Sequence, residues 1–143
     1  PNEMLSALGL VQLTKLDRNN ARRRELTGLY HSLLAQKLPQ IRVPFTQHRG
    51  ISSCHILPVL LPEGVERASF MNAMKERGIQ TSIHYPIIPD FKAYRAAYKR
   101  TDSIPLIRKW APREVTLPLF ATMRDEDVES VVQAVEESLG TAS

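Results

Sequence analysis

The sequence predicts an α+β domain in which helices pack on a small sheet of three or four strands. Two patterns predict it: helical segments with apolar residues three and four positions apart, and short apolar or alternating segments bounded by proline and glycine. The chain has 143 residues, 43% of them hydrophobic and 24% charged. That length and balance suit one domain with a single core, so the expected domain spans residues 1–143.

The first predicted helix, Met4 to Leu16, is apolar on nearly every side. A helix of this kind needs cover on every side. Gly9 lowers its helix propensity but would let another backbone approach closely. In a chain this short, the pattern indicates a missing neighbour.

Asp17 is expected to interrupt or cap, and a second helix is expected to run to about Gln36, with its apolar positions on one stripe (Leu26, Leu29, Tyr30, Leu33 and Leu34). The basic run Arg22-Arg23-Arg24 belongs to this helix, and such a run usually forms a solvated face. Pro39 and Pro44 then leave room for at most a short edge strand.

The middle of the chain is predicted as strand, helix, strand. Ser53 to Leu61 forms the first strand, and Val65 to Arg77 forms a helix that ends at Gly78 in the C′ position and buries three large residues (Phe70, Met71 and Met74). Ile79 to Tyr85 alternates as a strand, so Tyr85 shares one face with Ile79, Thr81 and Ile83, while His84 lies on the other face.

The carboxyl-terminal part begins with an irregular, mostly helical region from Phe91 to Ala111. A short strand, Val115 to Leu119, follows. The last helix has a regular apolar stripe (Val128, Val131, Val132, Val135 and Leu139). Its first turn holds Asp125-Glu126-Asp127, where the helix dipole favours negative charge.

Composition argues against several classes of function. The net charge is +4 and the pI about 9.5, but no aromatic residues alternate with the basic ones, so a nucleic-acid partner is not expected. The longest apolar stretch, Ile56 to Leu61, is far too short to cross a membrane. The first residues lack a signal-peptide pattern. With Cys54 as the single cysteine, a reducing cytoplasm is the expected compartment.

Two segments contain candidate ligand contacts. His84 leaves the polar face of its strand just before Pro86, so its imidazole could bind an anionic or hydroxylated ligand; the alternative is a surface histidine with a solvent partner. Cys54 and His55 would point to opposite faces of one strand and cannot act as a nucleophile–base pair. Cys54 is therefore interpreted as a small core residue.

No metal site or complete catalytic constellation is found. No second cysteine or histidine lies at metal-ligand spacing from Cys54 and His55. The sequence also has no glycine-rich phosphate loop, no serine elbow and no paired-carboxylate signal. No catalytic, cofactor-binding or metal-ligating residue is assigned.

Several segments in order resemble the DegT-type sugar aminotransferases, a branch of the fold-type-I pyridoxal-phosphate enzymes. The resemblance begins with residues 1–13 (PNEMLSALGLVQL) and continues through residues 20–34 and 55–65. The most specific piece is residues 78–86 (GIQTSIHYP), followed by Phe91 and Tyr94. Residues 115–119 (VTLPL), Met123 and Asp127-Val128 complete it. The resemblance covers almost the whole chain and implies that this is the carboxyl-terminal small domain of such an enzyme. It also implies that residues 1–16 are a helix that would join the missing large domain.

The resemblance implies amino transfer from glutamate to a keto group on a nucleotide-linked sugar, in a homodimer that uses pyridoxal phosphate. In the family the cofactor lysine, the stacking aromatic and the phosphate-binding residues lie in the large domain. None of the lysines here occupies that context (Lys15, Lys37, Lys75, Lys92, Lys99 and Lys109). This chain alone is therefore expected to be inactive and to bind no cofactor.

By the same resemblance, His84 and Tyr85 match a His-Tyr pair at the mouth of the active site, near the nucleotide-sugar. Tyr85 also has a core alternative, since it continues the face of Ile79 and Ile83. The family commonly reads His-Tyr-Pro-Pro-x-His, whereas Ile87 and Pro89 stand here in place of the second proline and second histidine. The competing hypothesis for the whole chain is a non-enzymatic basic module for binding or association.

Overall fold

The computed structural model describes residues 2–47, 49–97 and 104–141, and these residues form six α-helices and one two-stranded sheet. The helices are α1 (Glu3–Leu13), α2 (Leu16–Lys37), α3 (Arg67–Glu76), α4 (Lys92–Ala97), α5 (Pro105–Trp110) and α6 (Asp125–Thr141). The strands are β1 (Leu57–Leu60) and β2 (Glu114–Leu117). Single 3₁₀ turns at Ile88–Asp90 and Ala111–Arg113 precede α4 and β2.

The sheet is smaller than predicted in the part of the chain that the structure describes. β1 and β2 pair antiparallel, with Leu57 opposite Leu117 and Val59 opposite Val115. Each remaining predicted strand is reduced to a single bridge. Arg42 exchanges two backbone hydrogen bonds with Leu60 (3.1 and 2.8 Å) on the β1 side, and Ser82 exchanges two with Thr116 (3.1 and 2.8 Å) on the β2 side.

Both outer strands are cut short by local chemistry. Pro39 and Pro44 flank Arg42, and proline lacks the N–H that a ladder needs. After Ser82, the backbone N–H of His84 donates to Glu114 Oε2 (3.0 Å), so a side-chain carboxylate replaces a strand carbonyl as its acceptor. The α+β class is confirmed, and among the described residues the number of strands is two rather than three or four.

The core lies between the sheet and helices α2, α3 and α6. The sheet contributes Leu57, Val59, Val115 and Leu117, all at most 2% exposed. The helices contribute the apolar stripes expected from the sequence, with Leu26, Tyr30, Leu34, Phe70, Met74, Val128, Val132 and Val135 among their buried residues. Tyr30 is fully buried and its hydroxyl donates to the carbonyl of Pro118 (2.9 Å). Burial raises the pKa of Tyr30.

The ends of α3 and α6 are fixed by side chains and by one glycine. Glu66 Oε2 accepts the backbone N–H of Ser69 (2.6 Å), which lowers the pKa of Glu66. Gly78 has φ +77°, and it ends α3 as predicted, because the left-handed region favours glycine. In the first turn of α6, Asp127 accepts hydrogen bonds from the guanidinium and from the backbone N–H of Arg124. These hydrogen bonds lower the pKa of Asp127, the guanidinium more than the backbone.

Helix α1 has no buried residue. Asn2 caps it by accepting the N–H of Leu5 (2.9 Å), and it ends at Leu13, three residues before the predicted end. The large apolar residues from Met4 to Leu16 are between 46% and 82% exposed. Exposed apolar surface of this extent is typical of interaction sites.

Candidate functional site

The candidate site is built on the outer edge of β2. The Ser82–Thr116 bridge brings the segment after α3 alongside this strand. Since alternate residues of a strand share a face, Glu114 and Thr116 point the same way, toward His84. Both are sheltered from solvent, with 9% and 5% of their surface exposed.

His84 is held by hydrogen bonds at its backbone and at one ring nitrogen. Its N–H donates to Glu114 Oε2 (3.0 Å). Its Nδ1 lies 3.0 Å from Thr116 Oγ1 and 3.4 Å from Ser82 Oγ. Thr116 Oγ1 in turn donates to Glu114 Oε1 (2.7 Å). The half-buried imidazole is therefore fixed in direction, which a solvated surface histidine is not.

Tyr85 follows His84 through a cis peptide bond and is 67% exposed. The core alternative for Tyr85 is therefore wrong. Its ring meets the His84 ring edge-on, with centroids 5.0 Å apart and planes at 76°. Strand alternation stops at Ser82, so Tyr85 does not continue the face of Ile79 and Ile83. The aromatic ring of Tyr85 and the imidazole of His84 can therefore contact a ligand or another chain.

The chain beyond Tyr85 presents a largely apolar surface, with several large side chains between 42% and 61% exposed (Ile88, Phe91, Tyr94, Leu106 and Ile107). A cavity of about 270 Å³ opens here, between Arg67 and the segment from Pro86 to Phe91. Arg108 holds this segment through two hydrogen bonds to the carboxylate of Asp90 (3.0 and 3.1 Å). The sequence pair His84–Tyr85 thus lies at the edge of an open, partly apolar surface.

The Cys54–His55 segment differs from its prediction. β1 begins at Leu57, so neither residue belongs to a strand, and Cys54 has φ +45° and is half-exposed. The core interpretation of Cys54 is therefore wrong. Cys54, His55 and His31 line a separate cavity of about 540 Å³, where burial lowers the pKa of His31. Among the described residues, no group of histidine, cysteine and carboxylate side chains could hold a metal ion.

Most of the described lysines lie on the exposed surface. Lys37, Lys75, Lys92 and Lys109 are exposed, Lys15 is half-buried, and Lys99 lies outside the described residues. Five cavities in the described part of the chain have no lysine in their walls.

The basic run of α2 is engaged within the chain. Arg22 pairs with Asp125 (2.7 Å) and Glu25 (3.2 Å), and Arg23 donates to the carbonyl of Ser53 (3.1 Å) and to the side chain of Asn20. A nucleic-acid surface needs basic groups free to meet phosphates, and these arginines already have partners.

Glu114 and Thr116 are the residues of this cluster that sequence reasoning missed. The available signal was that two polar residues at i and i+2 in a short apolar strand share one face. That signal becomes informative only when the pairing of β2 with its neighbouring segment is known, because the pairing of Ser82 with Thr116 brings His84 next to these two residues. The resemblance pointed to His84 and Tyr85 and did not include Glu114.

No helix among residues 2–47, 49–97 and 104–141 has the length and apolar character that crossing a membrane requires.

Comparison with known proteins places the chain among aminotransferases. The model of the DegT/DnrJ/EryC1/StrS aminotransferase family matches residues 2–136. SpsC of Bacillus subtilis (strain 168), a spore coat polysaccharide biosynthesis protein, is 33% identical over 141 residues, which are 94% of this chain and 36% of SpsC.

Solved structures agree with this assignment. TlmJ, an aminotransferase from Streptoalloteichus hindustanus, superposes with a TM-score of 0.85 at 28% identity, over 98% of this chain and 37% of TlmJ. Spr1654 of Streptococcus pneumoniae, a candidate sugar aminotransferase solved in its PLP (pyridoxal phosphate) form, gives a TM-score of 0.88 at 24% identity. That likeness shows the fold alone; it covers 99% of this chain and 36% of Spr1654.

The chain thus spans little more than a third of the length of these relatives. The family is dependent on pyridoxal phosphate. Since the match extends over residues 2–136 in one unbroken order, this chain belongs to the DegT/DnrJ/EryC1/StrS aminotransferase family.

Proposed function

We propose that this chain is the carboxyl-terminal small domain of a sugar aminotransferase, which transfers an amino group from glutamate to a nucleotide-linked keto-sugar. The observation that carries the proposal is the placement of His84 in a chain of this family. Its imidazole is anchored through Nδ1 to Thr116 (3.0 Å), and its ring meets the exposed Tyr85 edge-on.

His84 and Tyr85 supply substrate contacts in this proposal. The fixed imidazole hydrogen-bonds a polar group of the sugar or the nucleotide, and the Tyr85 ring covers an apolar face beside it. A fixed side chain contributes more to binding than a mobile one, because less conformational entropy is lost when the ligand arrives. No proton transfer is assigned to either residue in this proposal.

Pyridoxal phosphate, when bound, supplies the electron sink for amino transfer. The residues that hold it belong to the large domain in this proposal. In support, Lys37, Lys75, Lys92 and Lys109 are exposed and Lys15 is half-buried. The chain alone is accordingly proposed to bind the cofactor weakly if at all and to be inactive.

Helix α1 is proposed to pack against that large domain. Its apolar residues lie on all sides of the helix and are about half to four-fifths exposed (Met4 82%, Val11 51%). Burial of such side chains stabilises an interface by about 25 cal/mol per Å². Association of two complete chains into a homodimer is part of the proposal by family likeness. A cytoplasmic location remains a prediction from the single cysteine of this chain.

The competing hypothesis, a non-enzymatic basic module, finds less support. Arg22 and Arg23 are engaged with Asp125, Asn20 and Ser53. The exposed α1 is compatible with an association module, but the family relationship explains both α1 and the His84 cluster together.

The proposed function is tested with the complete polypeptide that contains this segment. It is incubated with pyridoxal phosphate, ¹⁵N-labelled glutamate and a panel of nucleotide-linked keto-sugars, and the products are analysed by mass spectrometry. We expect ¹⁵N in an amino-sugar nucleotide and stoichiometric formation of 2-oxoglutarate. Consumption of glutamate without labelling of any sugar across the panel would contradict the proposed acceptor.

A further inference from the structure

The tautomer of His84 can be assigned from its neighbours. A neutral imidazole carries one proton, on Nδ1 or on Nε2, and the nitrogen without it is an acceptor. Which nitrogen is protonated is set by the hydrogen bond that the other one makes. In His84, Nδ1 is the nitrogen that contacts the protein.

Thr116 has a single hydroxyl proton, and that proton is already used. Thr116 Oγ1 donates to Glu114 Oε1 (2.7 Å), because a carboxylate only accepts. Thr116 Oγ1 can therefore only accept from Nδ1, which lies 3.0 Å away. Without a proton on Nδ1, two lone pairs would face each other at that distance.

The other contacts agree with this direction. The backbone N–H of His84 occupies Glu114 Oε2 (3.0 Å), so the two oxygens of one carboxylate hold the His84 backbone and the Thr116 hydroxyl. Ser82 Oγ, at 3.4 Å from Nδ1, is too distant to displace Thr116 as the ring's partner. Since Glu114 and Thr116 are 9% and 5% exposed, water competes little and the hydrogen bonds strengthen one another.

Nε2 remains open. It makes no hydrogen bond with any described residue. Among those residues, the one buried side-chain polar atom without a hydrogen-bond partner is Ser138 Oγ, so Nε2 is not a buried atom. We propose that Glu114 and Thr116 are positioning residues that hold His84 as the Nδ1–H tautomer and present Nε2 as a hydrogen-bond acceptor. The ligand group at His84 is then an O–H or N–H donor, such as a sugar hydroxyl or a nucleobase N–H, and not a phosphate oxygen. This last step rests on the proposed function.

The tautomer is measured in this chain without ligand, by two-bond ¹H–¹⁵N spectroscopy after histidine-selective ¹⁵N labelling. The chain has four histidines, and the His84 signals are identified by their loss in His84→Gln. At a pH where the ring is neutral, we expect a protonated Nδ1 and an unprotonated Nε2. A protonated Nε2 in the unmodified chain would overturn the assignment.

Two variants separate a positioning role from a merely structural one. In Thr116→Ser the hydroxyl is kept, so the Nδ1–H tautomer is expected to persist. In Glu114→Gln the amide oxygen must stay opposite the His84 N–H, so the amide NH₂ faces Thr116 and donates to it. The Thr116 proton then turns to Nδ1, and the tautomer is expected to switch to Nε2–H. An unchanged tautomer in Glu114→Gln would remove Glu114 from the proposal.

Thr116→Val completes the series, because it removes the hydroxyl while keeping a residue that suits a strand. It is expected to lose the Nδ1–H preference. If this variant unfolds, Thr116→Ser and Glu114→Gln decide the question. Since all spectra are recorded without substrate, failure of this assignment leaves the proposed amino transfer untouched, and an inactive complete enzyme leaves the tautomer untouched.

Discussion

His84→Ala is expected to lower kcat/KM of the complete polypeptide about 10- to 100-fold toward the nucleotide-linked keto-sugar of the proposed function. Removing one partner of a sheltered hydrogen bond and leaving the other unsatisfied costs about 1–3 kcal/mol, and 1.4 kcal/mol corresponds to about tenfold. The reaction with glutamate is expected to change little, because His84 contacts the acceptor and not the cofactor in the proposed site. Steady-state kinetics of each half of the reaction measure the two effects separately.

Gln80→Ala is the matched control, because Gln80 is exposed and lies four residues earlier in the same segment. It is expected to leave both halves of the reaction unchanged. Equal losses with glutamate and with keto-sugar in His84→Ala would assign His84 a structural role. No loss with the keto-sugar would remove it from the site.

Phe70→Ala is expected to lower the free energy of unfolding of this chain by about 3–5 kcal/mol, since it removes a large core side chain and leaves a cavity. Phe70 is 0% exposed and lies in the core between α3, α6 and the sheet. A loss of that size is a large share of the stability of an ordinary domain. Urea unfolding followed by circular dichroism measures it.

Asn72→Ala serves as the control for α3, because Asn72 is an exposed residue of the same helix. It is expected to change the unfolding free energy by less than about 0.5 kcal/mol. A loss below about 1 kcal/mol in Phe70→Ala would mean that α3 does not pack on the core as described.

The helices could be predicted from the sequence because apolar residues three and four positions apart lie on one face of a helix, which is the face that is buried. The stripe from Leu26 to Leu34 and the stripe from Val128 to Leu139 both lie in the observed core, apart from partly buried Leu29 and Leu33. Gly78 was identified as a helix end because left-handed backbone favours glycine. The exposed α1 was also predictable, because a helix that is apolar on all sides cannot be covered by a single small domain.

Strand pairing was less predictable, because it depends on partners distant in sequence. Alternation from Ile79 to Tyr85 predicted a strand, but Glu114 captures the His84 N–H and pairing ends at Ser82. The face of Tyr85 was misassigned for this reason. The Cys54 interpretation was wrong because the chain enters β1 three residues later, at Leu57.

The candidate site was predictable in part. The sequence resemblance named His84 and Tyr85, and the structure brings the two rings into contact. The residues that orient His84 could not be found from spacing, since Thr116 is 32 residues away along the chain. Glu114 orients His84 because the His84 backbone N–H has no strand partner beyond the Ser82–Thr116 bridge, and this is known only once the strand register is known.

Our central claim is that this chain provides substrate contacts while pyridoxal phosphate is held by residues outside it. The most direct test is to locate the cofactor lysine in the complete polypeptide. The protein is reduced with borohydride in the presence of pyridoxal phosphate and digested, and the lysine joined to the cofactor is located by mass spectrometry. The modified lysine is expected before residue 1 of this sequence. Stoichiometric modification of Lys15, Lys37, Lys75, Lys92, Lys99 or Lys109 would contradict it.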